Sequence, residues 1–137
     1  MEFMITRKKL PAFTLNELLV VLIIIGILVL IALPSLMPLI SNARATEAKL
    51  QLKHLQLLEN SYFLQNSKYT SDMNELGFEQ QKLVKDGGEA NYKVEILSAT
   101  NTGFKGRATS TVDFNQNGVF DTWEIDQDKN LKEIQKD

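Results

Sequence analysis

The chain has 137 residues, a formal net charge of −2 and no cysteine. That length favours one small domain, or one domain with an appendage. The missing cysteines exclude a disulfide framework, a thiolate metal site and a thiol nucleophile, and without a basic stripe nothing supports binding to nucleic acid.

The chain opens on a basic cluster, Arg7, Lys8 and Lys9, which either Met1 or Met4 as start would leave intact. Residues 18–33 then carry no polar side chain, and the apolar run continues to Ile40, interrupted by Pro34, Ser35 and Pro38. About 20 apolar residues suffice to cross a bilayer as a helix. The basic cluster should stay cytoplasmic and place the rest of the chain outside. A secretory signal peptide has an apolar core of roughly 7–15 residues closed by a small-residue cleavage site; here the run is longer and no such site follows cleanly. A plain membrane anchor fits the length. Neither reading explains Glu17. A carboxylate at the edge of an apolar helix is costly and a functional candidate; alternatively it rests at the headgroup level without a partner. Pro34 removes a backbone donor and crowds the preceding turn, Gly26 adds a weak point, and Pro38 extends the irregularity. The spacing predicts a helix that is bent or locally melted here but continues, because residues 41–66 again read as helical.

The string PAFTLNELLVVLIIIGILVLIALP resembles the prepilin signature of the type IV pilin superfamily. The resemblance is specific over residues 7–40 and only general beyond. It implies a leader of residues 1–12, cut by a membrane-embedded prepilin peptidase between Ala12 and Phe13, with N-methylation of Phe13. Residues 13–40 would be kept as a transmembrane helix that later becomes the filament core. Glu17 matches the family's acidic residue and Pro34 its helix-bending proline. Two positions depart from the pattern. Ala12 stands where Gly is commonest, and Asn16 where an aliphatic residue is usual, which sets an extra polar group beside Glu17. In a water-poor filament core a buried carboxylate needs a partner. By the family's logic this is the amino terminus at Phe13 of a neighbouring subunit, and the pair sets the axial register. The resemblance further implies a single-pass precursor in a bacterial inner membrane, N-terminus cytoplasmic and in contact with lipid. An assembly platform would then carry it, with copies of itself or related pilins, into an extracellular pilus or a periplasmic pseudopilus.

Residues 41–66 contain no Gly or Pro and place Ala48, Leu52, Leu55 and Tyr62 at helical spacing, with Leu58 beside them. His54 is the only histidine, so a zinc site there has no support. Residues 67–91 read as a loop, with Tyr69, Met73 and Leu76 as anchors and a turn at Asp86, Gly87 and Gly88. From Tyr92 the period becomes two. Residues 92–98, 104–112, 122–125 and 131–134 read as strands, with hairpin turns at Thr102–Gly103 and at residues 126–130.

The string DFNQNGVFDTWE matches the 12-residue EF-hand loop at Asp113, Asn115, Asn117, Asp121 and Glu124, with Gly118 at its sharp turn and the Val119 carbonyl as backbone ligand. Alternating short oxygen-bearing side chains can converge on one hard cation, which makes calcium the candidate cofactor. The flanks are strands rather than helices, so Glu124 is the doubtful ligand. A plain polar turn rich in Asn and Gly is the competing reading. With two charges among the four favoured side chains, affinity should be modest. Related pilins and pseudopilins often fix this region with a disulfide or a calcium ion, and this chain has no cysteine. Trp123 follows as a core anchor.

The expected fold is α+β: a long N-terminal helical stem, membrane-spanning in its first half, packed on a small antiparallel sheet of three or four strands in a head of residues 41–137. There is no Ser-His-Asp set, phosphate loop or paired carboxylate to suggest an enzyme. The leading function is a structural subunit of a type IV pilus-like filament. The alternatives are a major pseudopilin of a type II secretion system, and a membrane-anchored calcium-binding or adhesion module that does not polymerise.

Overall fold

The computed structural model describes residues 11–137. The basic cluster and the two candidate start methionines lie outside the described residues. In chain order the elements are helix α1 (Leu15–Asn66), a one-turn helix α2 (Met73–Leu76), a 3-10 turn (Val84–Asp86) and four strands. The strands are β1 (Tyr92–Ala99), β2 (Phe104–Ser110), β3 (Thr122–Asp126) and β4 (Leu131–Gln135). The chain divides between Pro38 and Leu39 into two compact units.

The first unit is the apolar part of α1. Between Glu17 and Arg44 there is no charged residue, and every side chain from Leu18 to Ile40 is exposed. From Leu15 to Pro38 the helix rises roughly 35 Å at about 1.5 Å per residue, enough for a hydrocarbon core of about 30 Å. The helix is neither ended nor melted at its prolines, both of which lie inside it. Each lacks an N–H, so the carbonyls of Leu30 and Pro34 have no donor four residues on. The Ser35 hydroxyl bonds locally instead, donating to the Ala32 carbonyl at 2.9 Å.

The second unit holds the core. Ala45, Ala48, Leu52, Leu55, Gln56 and Glu59 form the buried stripe of α1, recurring every three or four residues as one helix face requires. Facing them are Tyr92 and Val94 of β1, Phe104 and Ala108 of β2, and Trp123 and Ile125 of β3. In β1 and β2 these alternate with exposed or half-buried neighbours because successive strand residues point to opposite faces. Leu58, Tyr62, Tyr69 and Met73 close the margin of this core. The sheet is an antiparallel meander in the order β1-β2-β3-β4. Its register pairs Tyr92 with Ser110, Ala108 with Trp123, and Glu124 with Lys132. At Gly106 a Cβ would stand 2.5 Å from Leu55 Cδ2, so the glycine lets the helix approach β2 more closely than any side chain would permit. The architecture is thus a long helix packed on a four-stranded antiparallel sheet.

Candidate functional site

Two places carry the residues singled out in the sequence. At the start of α1, residues 11–14 are non-helical and exposed, so the Ala12–Phe13 bond lies in open backbone just before the first helical turn. Phe13 is 78% exposed. Thr14 and Glu17 then bond reciprocally. The Glu17 N–H donates to Thr14 Oγ1 at 3.3 Å, while the Thr14 N–H and hydroxyl donate to Glu17 Oε2 at 2.8 and 2.9 Å. This is a capping box, which satisfies donors that a helix start otherwise leaves unpaired, and it sets a carboxylate at the positive end of the helix. Glu17 therefore has a local role within its own chain. The Thr-x-x-Glu spacing was the signal for it. Asn16 lies exposed in the same turn, and nothing in the structure explains its polarity.

The second place is the loop between β2 and β3. Asp113 sits at its centre: Oδ1 accepts the Asn117 N–H at 3.1 Å and Oδ2 the Gly118 N–H at 2.7 Å. Asn115 Oδ1 also accepts from Asn117 N, at 3.0 Å, and Asn117 Oδ1 accepts from Val119 N at 2.7 Å. Coiling this tightly requires positive φ at Gln116 (61°) and Gly118 (82°), which glycine adopts without strain. The loop is tied down by the Phe114 N–H, which donates to Asp137 Oδ2, and by the Arg44 guanidinium, 4.0 Å from the Phe114 ring centroid.

The remaining expected ligands have other partners. Asp121 is buried, and its Oδ2 accepts from the Tyr92 hydroxyl at 2.5 Å and from Trp123 Nε1 at 2.9 Å. Its Oδ1 is buried with no partner. Burial first, then the bond to Asp121, push the Tyr92 hydroxyl far above the usual phenol range, so it remains a proton donor. Glu124 lies on β3, where Arg107 Nε donates to it at 2.9 Å and Arg107 Nη2 at 2.5 Å, with Lys105 Nζ 3.7 Å away. The structure thus gathers Asp113, Asn115 and Asn117, places Asp121 at the loop's end, and assigns Glu124 to a cross-strand ion pair. Among the described residues no three histidine or acidic side chains come together as a metal cluster.

A polar group that the sequence did not announce lies under α1. Glu59 is fully buried. Its Oε2 accepts the Thr70 N–H at 3.2 Å and its Oε1 has no partner. Desolvation raises its carboxyl above the usual range, partly offset by the bond from Thr70. Thr70 and Tyr62 both donate through their hydroxyls to Glu75, at 2.8 and 3.1 Å. His54 stays exposed on α1, beside Phe78 at 5.9 Å between ring centroids.

No protein-family model matches the chain. It is similar to the type IV major pilin protein PilA of Myxococcus xanthus (strain DK1622), 37% identical over 86 residues, which cover 63% of this chain. The chain spans little more than a third of that protein, 37% of its length. Taken with the apolar helix, its acidic first turn and the helix-on-sheet head, this similarity supports assignment of the chain to the type IV pilin superfamily.

Proposed function

We propose that the chain is a structural subunit of a type IV pilus-like filament, cut by prepilin peptidase between Ala12 and Phe13 and polymerised through residues 13–40. One observation carries this reading. From Leu18 to Ile40 the helix exposes an apolar surface, broken only by Ser35, that no other part of the described residues covers, and surfaces of that extent mark membrane or protein contacts. Lipid covers it in the precursor, and neighbouring helices cover it in the filament. Glu17 then exchanges part of its own capping box for the methylated amine of a neighbour's Phe13, and Pro34 shapes the helix for packing. An inner-membrane assembly platform moves the subunit from bilayer to fibre. The similar Myxococcus protein is a major pilin, which favours a pilus over a type II secretion pseudopilus.

Glu17→Gln separates the two roles of Glu17. Glutamine at this helix position still completes a capping box, but it has no charge to offer an amine. The expected outcome is a stable, membrane-inserted subunit with filament yield strongly reduced in sheared-fibre immunoblots. Wild-type yield would remove the ion pair from the mechanism. Electron microscopy of cells distinguishes the settings: long surface fibres mark a pilus, and fibres seen only on overexpression mark a pseudopilus.

A second reading concerns the loop. Asp113, Asn115, Asn117 and Asp121, with the Val119 carbonyl, would hold calcium, which supplies a fixed positive charge that draws these oxygens together. The orphaned Asp121 Oδ1 supports it, because buried carboxylate oxygens ordinarily have partners. Calcium at about 100-fold its Kd should stabilise the detergent-solubilised chain by about 2.7 kcal/mol, and Asp113→Ala should abolish that increment. No calcium-dependent change in Tm or protease resistance in the wild type rejects the site.

A further inference from the structure

We infer that Asn117 is a self-deamidation site, at which the backbone nitrogen of Gly118 converts the side-chain amide into an acid. Asn117 is the only asparagine in the sequence followed by glycine, and a following residue without Cβ leaves its nitrogen open to the preceding carboxamide. The loop adds three features that the dipeptide alone lacks. The Asn117 carboxamide is folded back along the chain, because its Oδ1 accepts from Val119 N two residues on. That places Cγ beside the intervening Gly118 nitrogen. The same Val119 N–H is positioned to stabilise the negative charge that develops on Oδ1 when Cγ becomes tetrahedral. The Gly118 N–H already points at Asp113 Oδ2, 2.7 Å away, so the nucleophile has an acceptor for its proton. Residues 115–118 are exposed, which gives water access for the second step.

The lone pair of Gly118 N attacks Asn117 Cγ and forms a C–N bond, while its proton passes to Asp113 Oδ2. The Cγ–Nδ2 bond breaks with its electron pair on nitrogen, which takes up the proton and leaves as ammonia, and a five-membered succinimide remains. Water then adds to either imide carbonyl. Breaking the bond from Cγ to Gly118 N yields aspartate; breaking the bond from the main-chain carbonyl to that nitrogen yields isoaspartate. The sum is amide plus water giving acid plus ammonia. The new carboxylate takes the chain's formal charge from −2 to one unit more negative. It lands beside Asp113, where it either adds a charged oxygen to the loop or, as isoaspartate, lengthens the backbone by one carbon.

The test incubates the intact chain in detergent at neutral pH and follows each asparagine by isotope-resolved peptide mapping, with enzymatic isoaspartyl methylation as a second readout. Asn117 should convert ahead of Asn115 in the same loop. It should also convert about tenfold faster in the folded chain than in urea, short of the roughly 100-fold that a fully positioned base supplies. Asp113→Asn, which keeps a side-chain acceptor, should remove most of that folded-state advantage. Conversion of Asn117 no faster than Asn115, or no faster folded than unfolded, overturns the inference, and neither comparison depends on a variant folding.

Discussion

At the scale of single residues, the structure separates polar side chains that announce themselves from those that do not. The Asp113, Asn115, Asn117 spacing is legible because the three belong to one short loop and bond to its own N–H groups. The partners of Asp121 and Glu124 are not legible. Tyr92 lies 29 residues before Asp121, and Arg107 faces Glu124 only through the β2–β3 register. Glu59 was hidden for another reason: it reads as one more charge on an amphipathic helix until the loop carrying Thr70 folds over it. Its raised carboxyl gives a signed prediction. The folded state holds a proton that the unfolded chain releases near the ordinary value of 4.5. Its contribution is therefore fully present below that value and is lost as pH rises through the higher folded value. Glu59→Gln is neutral at every pH and keeps an acceptor for Thr70 N–H, beside Tyr62 and Glu75. We expect the variant to be about 1–3 kcal/mol more stable at pH 7, the range for a buried polar atom left unsatisfied, with no gain below pH 4.5. Denaturant melts across pH read this directly.

At the scale of elements, α1 and the strands followed their periodicities closely. Ala48, Leu52 and Leu55 reach the core, and a two-residue alternation placed Tyr92 and Val94 inward. What periodicity cannot carry is distance between elements. Gly106 sits mid-strand, where glycine usually weakens a strand, yet Leu55 and Leu52 of α1 press against the space where its Cβ would stand. Gly106→Ala should lower stability by about 1–3 kcal/mol through overpacking against Leu55, seen as a fall in Tm. Gly106→Ala combined with Leu55→Ala should not add the two single losses, because both act on one space. The prolines show the complementary limit. Sequence rules expected irregularity at Pro34 and Pro38, but two missing donors do not dissolve a helix whose other bonds persist.

At the scale of the whole molecule, the division between Pro38 and Leu39 separates an exposed apolar helix from a unit with its own buried core. Removing residues 1–38 discards three basic and two acidic residues, leaving twelve basic against fifteen acidic and a formal charge of −3. With its apolar surface gone and a net charge to keep copies apart, residues 39–137 should elute as a monomer in aqueous buffer, whereas the full chain should require detergent. Size-exclusion chromatography with light scattering decides it. The four-strand meander also bears on how the head comes into being. Each strand pairs with its neighbour in sequence, so no pairing waits for a distant segment and only short loops need closing. The ladder can therefore zip in chain order, helix first and β4 last. Each strand thus finds its partner already in place when it arrives.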